Sequence, residues 1–364
     1  MSFAPKSLEI DPDLAKKLFE EGGKILALDV PAGTEFGLDY KSWTVGDRFK
    51  GVKFLPHGIH MAYYSSISKS TRDVGPRTAF FFFTQGPEVV VRKWDCDSED
   101  LVEESDAPQR ERLAMAIREF DPFLGTYPLE SYTTWHNLTH FVTPAVVQRH
   151  QPLDGKLSSV NTQSSLVDMD ADKVQEEPVL PEAMLVMPES AFRFTEIPRK
   201  WHPSNATSNA VTQSYMDKTG LLKHLLSNEY ANNYKALLGE LQFAFVSFLV
   251  GQCFDAFEHW KTMVHLLSWC DSAYVEMPNL FCDFVATLHW QLKETPEDFF
   301  IDIISKNNFL CTTLQRFFSG VADAEGVSTE LTYRVERFRL FVSDRFQWDF
   351  ELEDDDDLPV VVEM

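Results

Sequence analysis

The sequence predicts an α+β protein: an N-terminal β-rich, sandwich-like domain followed by a C-terminal all-α domain. Three observations predict it. Between residues 24 and 95, short runs rich in β-branched and aromatic residues alternate with Pro, Gly, Asn and Asp breakers. Between residues 151 and 190 there is no aromatic residue, and acids outnumber lysines. Beyond residue 191, long apolar segments follow a helical rather than a two-residue period.

In chain order, Asp11 can cap a first helix, Pro12 suits its first position, Leu14 and Leu18 share a face, and Gly22-Gly23 stop it. The runs "KILALDV", "GVKFLP", "GIHMAYYSS", "TAFFFFTQ" and "EVVVRKWD" then read as strands of an antiparallel sheet. Helical pattern returns at 109–120, again at 132–141, and once more behind Thr143-Pro144, where Thr can cap and Pro can open a turn. These elements define a first domain over residues 1–150.

The stretch 151–190 reads as an acidic linker. Ordering it would cost about 1–2 kcal/mol per residue in backbone entropy, with little apolar area to offset that cost. From 191 to 350 the pattern is helical. "LLGELQFAFVSFLVGQCFDAFEHWKTMVHLLSW" is apolar on almost every face before Gln252 and amphipathic after it, as one buried helix followed by one at a surface would be. Pro296 is placed to open a further helix and Gly320 to close one. Helices of this length joined by short turns make a bundle or superhelix. No repeat with a fixed period of 20 to 50 residues is visible. Residues 351–364, "ELEDDDDLPVVVEM", form a carboxylate block and then a β-branched run.

Composition narrows the function. A hydrophobic content of 44% with 13% aromatic residues supports real cores. A net charge of -23 argues against grasping a phosphate backbone, which draws its affinity from Lys and Arg, so no direct nucleic-acid contact is expected. Five cysteines without paired spacing, four of them in segments that read as apolar helices, look like small buried hydrophobes of a reducing compartment. The N-terminus has no basic segment leading into an apolar one, so no secretory signal is expected. "FAFVSFLVG" is about half as long as a bilayer crossing requires, and no membrane partner is expected.

No motif assembles a catalytic centre. "HNLTH" spaces His136 and His140 as zinc proteases do, but Asn137 stands where the general-base Glu must be. His57 and His60 in "HGIH", and His259 and His265 in "HWKTMVH", lack accompanying cysteine pairs and read as core or surface histidines. "DMDAD" opens like a calcium loop but has Lys173 and Val179 where Gly and Glu are required. "EEGGK" lacks the rest of a phosphate loop, and no serine sits in a nucleophile elbow. The apolar company of Cys253, Cys270, Cys282 and Cys311 favours neutral thiols. The expectation is a non-enzyme with no cofactor and no metal.

Two long segments carry a resemblance. "PAGTEFGLDYKSWTVGDRFKGVKFLPHGIHMAYYSS" (31–66) and "LGELQFAFVSFLVGQCFDAFEHWKTMVHLL" (238–267) resemble the hallmark segments of the Aar-two family, the U5 snRNP assembly factors of pre-mRNA splicing. "DFFIDIISKNNFL" and "RFQWDF" with the acidic, valine-rich tail are similar too. The likeness is colinear over nearly the whole chain, weakest in the linker and around residues 95–106. It implies a VHS-like superhelix for the helical domain and a non-enzymatic role. The partner would be the C-terminal part of the spliceosomal scaffold Prp-eight, whose RNase H-like and MPN-type domains the factor bridges among the U5 snRNP proteins, holding off the Brr-two helicase during maturation. It also implies a place in both cytoplasm and nucleus, a chain that is monomeric on its own, and release linked to phosphorylation in some members. Ser158, Ser159, Ser164 and Ser165 are the accessible hydroxyls of the linker.

In that family the tail joins the scaffold as an added strand. Leu358, Pro359, Val360, Val361 and Val362 suit such a strand, because β-branched side chains can enter alternate pockets while the backbone pairs with an open sheet edge. Pro359 falls at the first strand position, where its missing amide does least harm. Asp354, Asp355, Asp356 and Asp357 would steer the tail toward a basic surface and, with the overall charge, repel RNA from the scaffold. Trp43, Trp348 and Phe350 are candidate aromatic anchors, and each also reads as a core residue. The competing reading is a VHS-type adaptor that binds acidic peptides in membrane traffic, which needs a basic groove on the helical domain. A hydrolase using His136 or a cysteine is the remaining alternative.

Overall fold

The computed structural model describes residues 11–67, 74–159, 188–204, 207–296 and 309–350. The chain divides into two compact units, Met1–Phe194 with Val246–Ala256, and Thr195–Phe245 with Phe257–Met364. Helix α1 (Pro12–Glu21) opens where Asp11 Oδ1 accepts from the backbone N–H groups of Asp13 (2.9 Å) and Leu14 (3.2 Å), and closes where Gly22 N–H donates to Leu18 O (2.9 Å). Its packed face is Ala15, Leu18 and Phe19 rather than the expected Leu14 and Leu18. Phe19, its largest apolar side chain, turns the contact toward the last turn and leaves Leu14 49% exposed.

Among the described residues, ten strands come after it: β1 (Gly23–Leu28), β2 (Glu35–Leu38), β3 (Lys41–Thr44), β4 (Gly51–Leu55), β5 (Gly58–Ile67), β6 (Val74–Thr84), β7 (Val89–Asp95), β8 (Asp100–Glu103), β9 (Leu124–Thr126) and β10 (Leu157–Ser158). They form two five-stranded sheets, ordered β8-β7-β1-β4-β9 and β10-β6-β5-β2-β3. The second is antiparallel throughout. The first is mixed, with β1 parallel to β7 and β4 parallel to β9, which corrects the purely antiparallel expectation. Side-chain alternation reports which face is buried and says nothing about the direction of a partner far along the chain.

The facing sides of the sheets share one core, with Ile25, Val52 and Phe54 from one sheet and Phe36, Tyr64 and Phe80 from the other. This is a sandwich. The outer face of the first sheet carries Leu26, Val91 and Leu124, covered by Leu113 of α2 (Ala107–Met115) and by Ile117 and Phe120 of α3 (Ile117–Phe120). β1 is therefore buried on both faces, which is why "ILAL" is apolar without alternation. The pattern over 109–120 reads as one helix, but the chain makes two, divided at Ala116.

Helices α4 (Tyr132–Thr139) and α5 (Pro144–His150) complete the unit, with Thr143 Oγ1 accepting from Val146 N–H at 3.3 Å as the cap of α5. The first residues of the stretch that reads as a linker are seated on the sandwich: Leu157 is fully buried opposite Ala79 of β6, and Lys156 pairs with Asp100. Residues 160–187 lie outside the described residues.

The second unit is helical: α6 (Ser208–Met216), α7 (Thr219–Glu229), most of α8 (Tyr234–Leu249) and α9 (Phe254–Ser268), then α10 (Asp271–Glu276), α11 (Pro278–Glu294), α12 (Phe309–Asp323) and α13 (Thr329–Phe346). α8 ends ahead of Gly251 and Gln252, whose φ of 58° continues no helix, so Cys253 sits in the turn and not inside an apolar helix. Tyr274, Phe281, Phe284 and Phe317 pack edge to face where α10, α11 and α12 meet. Gly320 does not close α12 but lies inside it. A Cβ there would come within 2.7 Å of the Arg316 side chain and 2.9 Å of Asp271, so the glycine serves close packing. The helix expected to open at Pro296 lies outside the described residues, and among the described residues no helix is long and apolar enough to cross a membrane.

In the second sheet, Gly37 pairs with Tyr63, and the Tyr63 ring lies across the glycine, 2.0 Å from where a Cβ would be. Gly37→Ala must push the ring aside and should destabilise the sandwich by about 1–3 kcal/mol, the usual cost of overpacking. Urea unfolding followed through sandwich tryptophan fluorescence checks this expectation, and an unchanged midpoint contradicts it.

Candidate protein-docking site

The candidate site is built at the C-terminal end of α13. Ser328 Oγ caps this helix by accepting from Leu331 N–H (3.2 Å), and Leu331, Val335, Phe338, Val342 and Phe346 form its buried stripe. Arg345 fixes the last turn. Its Nε donates to Leu292 O (3.0 Å) and its Nη2 to Thr295 O (2.8 Å), satisfying carbonyls that the end of α11 would otherwise leave open. Gln347 then turns left-handed (φ 58°) and redirects the chain.

Trp348 stacks on Phe346 at 4.8 Å between ring centroids, and Phe350 meets Phe318 edge-on at 5.0 Å. Both aromatic anchors expected from the sequence are thus half-buried, fixed to the helical core and brought together, 6.2 Å apart. With Arg339, Leu340 and Ser343 they line an open groove of about 330 Å³.

Beside the groove runs the outward face of α13, where Tyr333 is 60% and Leu340 57% exposed, with the Arg337 guanidinium over the Tyr333 ring between them. None of these three belongs to a motif or to the segments expected to bind. Their signal is present in the sequence all the same: apolar residues at positions 333 and 340, out of phase with the buried stripe, have no core to enter. Arg334 pairs with Glu330 (2.6 Å) and Arg339 with Glu336 (2.9 Å), both on the surface of the helix.

The remaining candidates separate. Leu358, Pro359, Val360, Val361 and Val362 lie outside the described residues, as do the "DMDAD" aspartates and Ser164 and Ser165. Trp43 is 38% exposed on β3, the edge strand of its sheet. Ser158 belongs to β10, and Ser159 Oγ accepts from Arg77 N–H (2.9 Å), so both are tied to the sheet. His136 on α4 and His140 at its C-cap are exposed, their rings 5.4 Å apart in an edge-to-face contact. Cys253, Cys270 and Cys282 are buried, and burial pushes the Cys253 thiol up to about 12 and raises the other two. Cys96 is exposed and Cys311 half-buried. Among the described residues, no group of three or more His, Cys, Asp or Glu could hold a metal ion.

Two buried carboxylates organise polar networks that no motif announced. Asp39 accepts from His60 Nδ1 (2.7 Å), Tyr127 Oη (2.7 Å) and Met61 N–H (2.8 Å). The other ring nitrogen, His60 Nε2, donates to Pro56 O (2.8 Å). Both ring nitrogens face acceptors, so the ring is the doubly protonated imidazolium. Burial alone would lower the His60 pKa, but the Asp39 charge and hydrogen bond, with the Pro56 carbonyl, outweigh it and raise the value. The Tyr127 hydroxyl is pushed far up by burial and by Asp39. This looks like an acid–base dyad, yet His60 and Asp39 have no exposed surface to offer a substrate. In the helical unit, Glu240 accepts from Thr195 N–H (2.7 Å) and Oγ1 (2.8 Å), Tyr230 Oη (2.6 Å) and His259 Nε2 (2.9 Å).

A two-sheet sandwich and a helical unit that carries an aromatic-lined surface groove define the class: an α+β protein of two compact units. Residues 21–152 match the family model described as the AAR2 N-terminal domain, and residues 194–351 match the AAR2 C-terminal repeat region. The chain belongs to the AAR2 family, the Aar-two family of the sequence resemblance. It is 38% identical to the mouse (Mus musculus) Protein AAR2 homolog, with 98% of each chain covered. It is 33% identical to the homolog of Caenorhabditis elegans over 94% of this chain and 98% of that one. It is 24% identical to the A1 cistron-splicing factor AAR2 of Saccharomyces cerevisiae over 74% of this chain and 76% of that one.

The Asp39–His60 pair has a pH signature. Because the folded His60 pKa lies above the free imidazole value of about 6.5, its stabilisation is complete below pH 6.5 and is lost as pH rises through the folded value. The sandwich urea midpoint should therefore fall on the alkaline side. His60→Gln should remove that slope and cost about 3–5 kcal/mol, by leaving Asp39 buried without its cation. Midpoints measured from acid to alkaline pH decide it, and a wild-type curve parallel to that of His60→Gln would refute the ion pair.

Proposed function

We propose that this chain is a splicing factor: a non-enzymatic assembly factor of the U5 particle that docks on the C-terminal RNase H-like and MPN-type domains of the scaffold Prp-eight. While bound it keeps the Brr-two helicase and RNA off that surface. The observation that carries the reading is membership of the AAR2 family across both domains, together with the name of the yeast relative, a cistron-splicing factor. The proposal places the chain in cytoplasm and nucleus, where such a particle is built and used, and gives it no cofactor.

The α13 terminus supports the mechanism. Trp348 and Phe350 are pinned to Phe346 and Phe318, so the segment beyond residue 350 leaves from a fixed point on a folded unit. Leu358 to Val362 then supply a strand to an open sheet edge of the scaffold, with backbone hydrogen bonds giving affinity and alternate valines giving register. The net charge of -23 repels RNA from the occupied surface.

Val361→Pro deletes an amide and restricts the residue before it. It should weaken binding of the scaffold's C-terminal region by at least about tenfold, or ~1.4 kcal/mol, and removal of residues 351–364 should abolish it. Calorimetric titration with purified scaffold domains is the measurement. Undiminished affinity in the truncated chain would remove the reading, and turnover of an ester or peptide substrate would replace it with an enzymatic one.

A further inference from the structure

No part of the docking reading uses the histidine pair of α4. Asn137, standing where a catalytic glutamate would be, excludes a hydrolytic zinc centre, but a chelate needs only two nitrogens held at the right separation. We propose that His136 and His140, one turn apart at the C-terminal end of α4, form a bidentate clip for a divalent transition ion that favours imidazole, zinc above all, with water in the remaining coordination positions.

The geometry is that of a chelate. His140 caps α4 with helical dihedrals (φ -52°, ψ -37°), so the two side chains stand on one face of a continuous turn. Their ring centroids are 5.4 Å apart. Two imidazole nitrogens about 2.0–2.1 Å from one tetrahedral zinc ion place their centroids about 5 Å apart, so closing the clip takes ring rotation and no backbone movement. Both imidazoles are exposed, and among the described residues neither has a hydrogen-bond or ion-pair partner. Their contacts are with rings, Tyr132 against His136 (5.8 Å), Phe141 against His140 (4.8 Å) and each other. By contrast, His60 and His259 spend ring nitrogens on the buried carboxylates Asp39 and Glu240.

The turn that carries the pair is fixed from beneath. Trp135 Nε1 donates to Ile59 O (2.7 Å), Thr139 Oγ1 donates to Trp135 O (2.8 Å), and Leu138 is fully buried. An incoming ion therefore finds its ligands on ordered backbone, and only two side chains lose rotamer freedom. The net charge of -23 concentrates divalent cations around the chain, while the nitrogen ligands select against Mg2+ and Ca2+, which take oxygen. Once bound, the ion ties the last turn of α4 to its C-cap and, by binding the folded state, stabilises the sandwich that α4 packs on. The clip is a structural cross-link, supplies no reaction chemistry and does not depend on the proposed function.

Zinc titration of the full chain, followed by calorimetry and through the imidazole resonances of its ten histidines, tests this. Zn2+ should shift His136 and His140 first, with one ion per chain and a dissociation constant on the order of 10 µM, as two of the four ligands of a structural site would give, and Mg2+ should shift neither. His136→Ala and His140→Ala should each weaken the site at least about tenfold, because a single imidazole loses the second anchor. Both are surface substitutions that leave Trp135 and Leu138 in place, and the wild-type resonances report the site without any variant. Shifts centred on other histidines, or equal zinc affinity in wild type and both variants, overturn the proposal. Half an ion per chain with zinc-dependent dimerisation overturns it in favour of a site shared between two copies.

Discussion

A carboxylate taken out of water must collect hydrogen-bond donors, and each folded unit is organised around one that has done so. Asp39 draws together three parts of the sandwich. The β2–β3 turn contributes its left-handed residue, β5 contributes His60 and the Met61 amide, and Tyr127 arrives from beyond β9. Glu240 does the same among the helices: Thr195 at the entry to the unit, Tyr230 after α7 and His259 on α9 all donate to it. Removing any one donor leaves the others in place but a charge short of partners, so the networks define which segments belong together more sharply than apolar packing can. Substitution at either carboxylate would leave buried donors unpaired, a larger cost than a volume-conserving apolar swap in the core.

The sandwich surrounds its network with matched apolar layers. Trp135 Nε1 donates to Ile59 O (2.7 Å) and Thr84 Oγ1 to Pro56 O (2.6 Å), so the backbone on either side of His60 is held by side chains from α4 and β6. The imidazolium cannot turn without breaking its own hydrogen bonds to Asp39 and Pro56 O. Its chemistry is spent on architecture, as is that of the buried thiols, whose raised pKa values keep them neutral and apolar.

How much was legible in the sequence depends on the range of each interaction. Caps and strand faces are local, so Asp11, Thr143 and the runs at β1 and β4 to β7 could be read from neighbouring residues. β2 and β3 are four residues each and are built from "EFGL" and "KSWT", too short and too polar to show alternation; they exist because β5 offers an edge to β2 and β2 in turn offers one to β3. β9 and β10 are shorter still and depend on the same kind of template. The parallel pairings and the partnership of Asp39 with Tyr127 join residues far apart in the chain, and no local pattern encodes them. Gly320 reads as a stop because glycine usually is one past a helix, but here a neighbouring helix is too close for a side chain. At the candidate site Trp348 and Phe350 were visible as aromatics beside an acidic run. That they are pinned rather than free was not, because Phe318 and the carbonyls that hold Arg345 come from other parts of the helical unit.

That pinning matters for any segment beyond it. A binding strand on a long random tether samples a large volume, and its effective concentration at a partner falls steeply with tether length. Here the tether is shortened from the folded side. The left-handed Gln347, the Trp348–Phe346 stack and the Arg345 hydrogen bonds carry rigid structure up to residue 350, only eight positions ahead of Leu358. On the proposed function, the carboxylates in those positions would set the direction of approach and the sensitivity to salt. If the proposed function holds, that arrangement would suit an assembly factor that must bind firmly and later leave: an added strand would give pairing that can be stripped one hydrogen bond at a time, and a fixed helix end would return it to the same place.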